Sequence, residues 1–254
     1  MAYTRPQQAI WRGARTAGEF SPLDIPDLLL WLRADLGITK DGSDKVSLWE
    51  DQSGNGWDAA QATAARQPLW VANVTNGQPA LRFDGVTSLR YMEGALVWAF
   101  SNSAATLMAV TSTNSLANNA GIFDSTDDPI PPGTTNVGLM LLNQGNRIAR
   151  AGDVNNGVGY GVATTDPIVN FGRAAVTGVN AGTVKIYEGA TEQGSDGVVN
   201  PISRNIVNYR IGRLFQDVFH MDGDYFELAV YSRALDVATE IAQLDAYATA
   251  RYGL

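Results

Sequence analysis

The feature that most constrains the fold is a repeated rhythm of short β-type segments, which runs from Leu28 to about residue 231. Segments such as "ATLMAVTST" and "GDYFELAVY" are rich in residues that favour strands, and turns rich in glycine, asparagine and aspartate separate them. Two pairs of segments flank the hairpin signals "NQGN" and "VNAG". In "VSLWEDQ" the alternation places Val46 and Leu48 on one face and Trp49 on the other. Roughly ten or more short strands of this kind predict an all-β antiparallel sandwich.

The C-terminal stretch "ALDVATEIAQLDAYATARYGL" has a different period. Its apolar side chains, including Leu244, recur at the spacing of one face of a helix. Asp236 is a suitable N-cap and Gly253 a suitable C-terminal stop. The pattern predicts one C-terminal α-helix over about residues 237–252.

Composition excludes several functional classes. The 254 residues include no cysteine, so disulfides, thiol catalysis and cysteine zinc sites are excluded. No run of about 18 apolar residues occurs, so no membrane contact is expected. The net charge is −8, and residues 1–22 carry three arginines against one glutamate, which leaves −10 on the remainder. An acidic body of this kind makes nucleic acid an unexpected partner.

Residues 1–22 are expected to form an N-terminal arm that precedes a domain over residues 23–254. The arm has no sustained strand or helix period, yet it contains large apolar residues that solvated tails avoid. Arginine and tryptophan are also frequent in interface hot spots. Three interpretations remain open: a leader without fixed structure, an arm that packs back on its own domain, or an anchor on a partner chain. The residues expected to make the anchoring contact are Arg5, Ile10, Trp11, Arg12 and Arg15.

The stretch "WEDQSGNGWDAA", from Trp49 to Ala60, places acidic and amide side chains around two glycines. Oxygen ligands on a curled loop suit calcium, but the spacing lacks the EF-hand series and its closing glutamate. Glycine and asparagine tolerate left-handed backbone angles, so a structural turn is the favoured interpretation. Trp57 lies among polar turn residues. Trp57 and Asp58 are therefore the candidate glycan-binding residues.

The succession "LLLWLRAD", "VSLWEDQSGNGWDAAQATAARQPLW" and "NGQPALRFDG" resembles the laminin-G-like, concanavalin A-like jelly-roll family. The closing "MDGDYFELAVYSRAL", followed by a helix ending in "YATARYGL", is similar to the usual end of that family. The resemblance implies two antiparallel sheets packed face to face, with "GDYFELAVY" as a core strand. It does not fix the function, because such domains serve as lectins, adhesion domains, enzyme accessories and bacteriophage virion parts.

Catalytic motifs are absent from the sequence. The single histidine, His220, offers no recognisable triad, and no phosphate-binding or dinucleotide motif occurs. Glycoside hydrolysis needs two carboxylates that face each other across a cleft. The acidic residues of "DGDYFE", including Asp224 and Glu227, do not match the spacing of the glucanases of this fold. We therefore expect no enzymatic activity.

A second acidic segment, "FDSTDDPIPPG", is a candidate metal site. Its three aspartates, Asp124, Asp127 and Asp128, lie within five positions of one another. Carboxylates at this density suit calcium, although a solvated loop explains the same pattern. Apart from this possible calcium ion, no cofactor is expected.

Two functional hypotheses from different classes follow. In the first, the chain is a non-enzymatic structural and attachment protein of a virion, such as a bacteriophage capsid-decoration, head-fibre or tail component. Its arm would contact other virion chains or a second copy of itself, and its jelly roll would project. In the second, the chain is a glycan-binding lectin-like module, either extracellular or in contact with host-surface glycans.

Deletion of residues 1–22 separates the interpretations of the arm. An anchor predicts a normally folded monomer that no longer assembles, because burial of Trp11 contributes about 2–4 kcal/mol to docking. An arm that packs on its own domain predicts a lower melting temperature. Melting curves and sedimentation measure the two outcomes, and a truncated protein that keeps both its stability and its assembly state would contradict both.

Overall fold

The structure, a computed structural model, describes residues 19–99, 104–114, 120–126, 138–144, 146–152, 157–160, 164–178, 181–197, 205–214 and 219–254. Within these ranges the chain forms seventeen strands and one α-helix, which confirms the predicted fold class. In chain order the strands are β1 (Leu28–Arg33), β2 (Ile38–Lys40), β3 (Val46–Trp49), β4 (Ala59–Ala60), β5 (Leu69–Thr75), β6 (Gln78–Phe83), β7 (Met92–Ala99), β8 (Ala105–Thr113), β9 (Ala120–Thr126), β10 (Gly138–Gln144), β11 (Asn146–Gly152), β12 (Gly157–Tyr160), β13 (Ile168–Gly178), β14 (Ala181–Glu188), β15 (Thr191–Gly197), β16 (Asn205–Ile211) and β17 (Gly223–Tyr231).

The strands form two sheets, and every strand pair is antiparallel. Sheet A has the order β15-β14-β13-β8-β17-β6-β5, with β1 paired to part of β17. Sheet B has the order β12-β11-β10-β9-β16-β7-β4-β3-β2. The hairpins predicted at "NQGN" and "VNAG" are present, as β10 paired with β11 and β13 paired with β14.

Strand β17 is the central element of sheet A. It pairs with β8 along its length, with β6 near its start and with β1 near its end. All nine of its residues are buried. A strand buried on both faces reads as a nearly continuous apolar run, which explains the sequence "YFELAVY".

The main core fills the space between the two sheets. Its large side chains come from both sheets, so that burying them holds the sheets face to face. Fully buried members include Leu32, Trp49, Phe83, Phe123 and Tyr225.

A second core lies on the outer face of sheet A, beneath the C-terminal helix. The helix predicted over about residues 237–252 is present, as a π-helical turn at Val237–Ile241 that leads into α1 (Ala242–Tyr252). The π-helical start was not predicted. The side chain of Asp236 accepts a hydrogen bond from the Thr239 backbone N–H at 2.9 Å. Gly253 ends the helix with φ of 69°, a left-handed conformation that favours glycine. The helix buries Leu244 and its neighbours against this core, so the helix holds the sheet's outer face away from water.

One sequence prediction is wrong in detail. Val46 and Trp49 were expected on opposite faces of β3, but both are fully buried. The pairing with β2 shifts by one residue, since Lys40 pairs with Val46 and Thr39 with Leu48. The extra residue is a β-bulge, which changes the alternation of faces along the strand.

Among the described residues, no helix is long and apolar enough to cross a membrane.

Replacing Leu244 by Asp tests the second core. Leu244 is fully buried beneath α1, so the charge would enter an apolar site. We expect the free energy of unfolding to fall by about 3–5 kcal/mol. Gln243→Asp, at the exposed neighbouring position, is the matched control and is expected to leave stability within about 0.5 kcal/mol. Chemical denaturation measures both, and equal stability of the two variants would contradict a buried helix face.

Candidate functional site

A second β-bulge, in β17, determines which way Glu227 points. Tyr225 pairs with Thr111 and Glu227 with Val110, so Phe226 is the extra residue. Tyr225 belongs to the core between the sheets, whereas Phe226 packs beneath the helix. Because the bulge changes the alternation, Glu227 also lies on the helix side of the sheet. Its carboxyl group is thereby placed between sheet A and α1.

Glu227 is fully buried and accepts hydrogen bonds from three aromatic side chains. Trp31 Nε1 donates to its Oε1 at 2.5 Å, and the Tyr252 hydroxyl donates to its Oε2 at 2.7 Å. The Tyr247 hydroxyl lies 3.1 Å and 3.3 Å from the two oxygens. These bonds join β1, β17 and α1 at one point, so the carboxyl group fixes the helix on the sheet.

Burial raises the pKa of Glu227 above the ordinary value of a glutamate. The hydrogen bonds from Tyr252 and Trp31 act in the opposite direction, as do the positive charges of Arg33 and Arg251. Desolvation is the larger effect, so the folded protein favours the protonated carboxyl group more than the unfolded chain does.

An ion-paired layer lies beside this buried carboxyl group. Asp35 accepts hydrogen bonds from Arg33 Nε at 2.6 Å and from Arg251 Nη2 at 2.7 Å. Although burial acts to raise it, the pKa of Asp35 is lowered, because both arginines stabilise the carboxylate. Arg251 Nη2 also donates to Gln78 Oε1 at 2.7 Å, and its Nε lies 3.3 Å from the Tyr252 hydroxyl. The guanidinium group of Arg251 is thus held in one position.

Above this layer lies an open groove of about 580 Å³. One wall is the outer face of α1, another is the turn between β5 and β6, and the third is the segment before β1. The lining residues are Glu19, Phe20, Asn76, Gln78, Gln243, Ala246, Tyr247, Ala250 and Arg251. The groove therefore combines two aromatic rings, three carboxamides, one guanidinium group and one carboxylate.

The wall at the β5–β6 turn is fastened to the end of α1. Asn76 Nδ2 donates to the backbone oxygen of Arg251 at 2.9 Å, and Thr75 Oγ1 donates to that of Tyr252 at 3.0 Å. These are carbonyl groups of the last helical turn, which have no partner within a helix. The side chains of the turn satisfy them, and the turn is held against the helix as a result.

The wall before β1 is formed by residues that the sequence assigned to the arm. Phe20 packs edge-on against Tyr247, with ring centroids 6.1 Å apart. Ser21 caps a short 3₁₀ turn at Pro22–Asp24, and the Tyr231 hydroxyl donates to the Pro22 backbone oxygen at 3.1 Å. The described end of the arm is therefore packed on the domain and lines the groove.

The "DQSGNG" loop lies at a different place, along the open edge of β1. Asp51 accepts hydrogen bonds from the backbone N–H groups of Trp31, Ser53 and Trp57, at 2.9, 2.9 and 3.1 Å. The backbone N–H of Gln52 donates to the Trp31 backbone oxygen at 2.7 Å. The loop thus supplies the partners that a neighbouring strand would supply.

Asn55 extends this edge contact. Its Nδ2 donates to the backbone oxygens of Leu28 and Leu29, at 3.0 and 2.8 Å. Gly54 and Gly56 have φ of 94° and 76°, so left-handed backbone brings the Asn55 amide back toward β1.

The loop is poorly suited to a metal ion. Both Asp51 carboxylate oxygens accept hydrogen bonds from N–H or O–H donors, whose positive ends would oppose a cation. The geometry supports the structural-turn interpretation of this motif.

The predicted glycan-binding residues do not line the groove. Trp57 is half-buried and packs against the core between the sheets, and its backbone oxygen accepts from the Tyr209 hydroxyl at 2.7 Å. Asp58 is exposed, and its Oδ1 accepts from the Asp51 backbone N–H at 2.8 Å. Their assignment to a glycan stays a prediction.

Of the candidate metal ligands, only Asp124 lies in the described part of the chain, where it is buried on β9. No group of three or more metal-ligating side chains occurs within the described ranges. Several predicted residues lie outside those ranges: Arg5, Ile10, Trp11, Arg12, Arg15, Asp127 and Asp128.

The two carboxylates considered for hydrolysis are both engaged within the fold. Asp224 forms a bidentate ion pair with Arg82, whose Nε and Nη2 donate to the two carboxylate oxygens at 2.7 and 2.8 Å. Glu227 is enclosed beneath α1. Neither carboxylate faces the other across a cleft.

Sequence reasoning missed the groove. Its walls come from chain segments around residues 20, 77 and 247, and none of these carries a pattern that the sequence analysis linked to ligand binding. Alanines at exposed helix positions 246 and 250, beside Gln243 and Tyr247, were the available signal, because small side chains leave room for a ligand.

Comparison with known proteins shows the fold of this chain but no family to which it belongs. No protein-family model matches the sequence. No curated protein matches it either. Solved structures do match. Trypanosoma rangeli sialidase in complex with sialic acid has 19% identity and a TM-score of 0.56, over 91% of this chain and 35% of that one.

Two binding domains are similar to the same degree. The botulinum neurotoxin serotype D ligand-binding domain, in complex with N-acetylneuraminic acid, has 13% identity and a TM-score of 0.56, over 87% of this chain and 50% of that one. The binding domain of Paraclostridial mosquitocidal protein 1 has 14% identity and a TM-score of 0.55, over 86% and 52%. This chain spans between about a third and a half of the length of these structures. At such identities the likeness shows the concanavalin A-like lectin fold.

Glu227→Gln tests the buried carboxyl group. Because the folded pKa is raised, the folded state binds more protons than the unfolded state between the ordinary glutamate pKa and the raised one. We expect the wild-type free energy of unfolding to fall, relative to the variant, as pH rises through this window. Denaturant titrations at several pH values measure the difference.

Glu227→Ala is the companion variant. It leaves three buried donors without their acceptor and is expected to cost about 3 kcal/mol or more at every pH. A wild-type free energy of unfolding that instead rises relative to that of Glu227→Gln as pH increases would show that the pKa is lowered.

Proposed function

We propose that the chain is a non-enzymatic carbohydrate-binding module that receives a saccharide in the groove beside α1. The observation that carries this proposal is the chemistry of the groove walls. Aromatic rings pack on the apolar faces of sugars, and carboxamides both donate to and accept from hydroxyl groups. The groove combines both kinds of side chain in a concave volume of about 580 Å³, which is in the usual range for a small-molecule site.

The fold supports the proposal by analogy. Two of the similar structures contain sialic acid, and two are domains described as ligand-binding or binding domains. A shared fold does not transfer a ligand, so the side chains of the groove remain the principal argument.

The rigidity of the groove is a further support. The Tyr247 ring is held by its hydroxyl contact with Glu227 and by Phe20, and the Arg251 guanidinium is held by Asp35 and Gln78. Side chains already fixed before binding lose little conformational entropy when a ligand arrives. Sugar hydroxyl groups are strongly hydrated, so a preorganised groove helps to offset the cost of removing their water.

The absence of catalysis is part of the proposal. Asp224 and Glu227 are committed to an ion pair and to a buried hydrogen-bond cluster. A general acid and its partner carboxylate must instead flank the scissile bond. Because the carboxyl groups of Asp224 and Glu227 already bind partners within the fold, these contacts favour glycan binding over hydrolysis.

The virion attachment hypothesis rests on the arm, whose predicted anchoring residues lie outside the described ranges. None of the three structures reported above is named as a virion protein. We therefore place glycan binding first and keep virion attachment as a second hypothesis. The first hypothesis implies an extracellular domain, and the second a domain of a virion.

Gln243→Ala tests the groove directly, because Gln243 is an exposed residue of α1 that lines it. We expect the wild type to bind members of a glycan array and the variant to bind them at least about fivefold more weakly, the equivalent of one lost hydrogen bond. Gln193→Ala, on β15 and outside the groove, is the matched control and should bind as the wild type does.

The same glycans, incubated with the wild type, are expected to release no new reducing ends. Binding that is unaffected by Gln243→Ala would place the glycan site elsewhere. Failure to bind any member of the array, or release of reducing ends, would contradict the proposed function.

A further inference from the structure

We infer that the groove prefers saccharides that carry a carboxylate to their neutral counterparts, an inference that rests on the proposed function. The observation that carries it is the arrangement of charges beside the groove, where two arginines share one carboxylate. One of these arginines, Arg251, also lines the groove and can meet a ligand there.

The shared carboxylate is that of Asp35. It accepts hydrogen bonds from Arg33 Nε and Nη2 at 2.6 and 3.0 Å, and from Arg251 Nη2 at 2.7 Å. Both arginines lower the pKa of Asp35, so its carboxylate is charged at neutral pH. One negative charge therefore serves two positive charges, and the layer keeps a net positive charge.

Glu227 does not replace the missing counter-charge. Its carboxyl group bonds to the aromatic donors Trp31, Tyr247 and Tyr252 and forms no ion pair with the arginines of the layer among the described residues. Burial raises the pKa of Glu227, which favours the protonated, uncharged form.

Residues 1–18 adjoin the groove at Glu19 and lie outside the described ranges. Their sequence contains Arg5, Arg12 and Arg15 but no aspartate or glutamate. Wherever these residues lie, they supply no carboxylate side chain that could neutralise the arginine layer.

The guanidinium group of Arg251 retains a donor for a ligand. Its Nη2 donates to Asp35 and to Gln78, and its Nε lies 3.3 Å from the Tyr252 hydroxyl. Its Nη1 makes no hydrogen bond to the described residues, and 19% of the side chain is exposed. A charge-assisted bond from a guanidinium to a carboxylate is about twice as strong as a bond between neutral groups.

Gln78 places a second donor beside Arg251. Its Oε1 accepts from Arg251 at 2.7 Å, so its amide nitrogen is the group left to donate to a ligand. A carboxylate has two oxygens that only accept, and it therefore suits two neighbouring donors. The rings of Phe20 and Tyr247 remain for the apolar face of the sugar.

Two features oppose an anion. Glu19 lines the groove, and the chain outside residues 1–22 carries a net charge of −10. Charges that are farther away than about 8 Å are largely screened at physiological salt. A hydrogen-bonded contact acts at about 3 Å, so the bond from Arg251 outweighs the general negative potential. These opposing charges reduce the preference without reversing it.

The test uses pairs of oligosaccharides that differ only in charge: oligogalacturonides against their methyl esters, and sialylated lactose against lactose. For the wild type we expect the acidic member of each pair to bind at least about fivefold more tightly in titration calorimetry. A neutral member that binds equally well or better would overturn the inference while leaving the proposed function intact. Failure of every member to bind would instead contradict the proposed function.

Arg251→Gln removes the contact itself. We expect the acidic member to bind within about twofold of the neutral one, with melting curves showing that the variant is folded. Arg210→Gln is the matched control, because Arg210 has the same exposure of 19%, lies on β16 of sheet B and does not line the groove. It should keep the wild-type preference. A folded Arg251→Gln variant that keeps the preference would overturn the inference.

Arg33→Gln provides a second variant that tests the charge ratio. Arg33 does not line the groove, and its loss leaves one arginine for the Asp35 carboxylate. We expect the preference for the acidic member to shrink at least about twofold, while the affinity for the neutral member stays as in the wild type. An unchanged preference in this variant would show that the net charge of the layer does not set the selectivity, and would also overturn the inference.

Discussion

The structure depends on a carboxyl group that is buried where a sheet meets a helix. Glu227 satisfies donors from Trp31, Tyr247 and Tyr252, and these donors in turn need an acceptor away from water. An apolar residue at this position would leave these three donors without an acceptor. Together with the apolar core beneath α1, the polar cluster holds the helix in place, and the groove lies on its outer side.

Much of the fold could be predicted from the sequence, because strand rhythm and helical period are local properties of the chain. The antiparallel sandwich, both hairpins and the helix after Asp236 followed from such patterns. The two bulges could not be predicted, since a bulge reflects pairing with a distant strand. Yet the bulge at Phe226 determines that Glu227 faces the helix, and the bulge in β3 buries Val46 with Trp49.

The candidate site was harder to predict than the fold for a related reason. The most distinctive motif in the sequence, "DQSGNG", serves in the structure to cover an open strand edge. The groove is assembled from Phe20, Gln78, Gln243 and Tyr247, which are distant in the chain and ordinary in their local context. Residue type alone did not separate an amide that binds its own backbone, such as Asn55, from one that is available to a ligand.

The position of β17 has a consequence for how the protein comes to be folded. Its pairing partners β1, β6 and β8 are made early in synthesis, but β17 follows all the other strands in the chain. Until it leaves the ribosome, sheet A lacks its middle, and the edges of its neighbours stay open to other chains. Contacts of such long sequence separation form slowly. The nascent chain therefore carries exposed edges of β1, β6 and β8 until β17 has been made, and open strand edges favour aggregation.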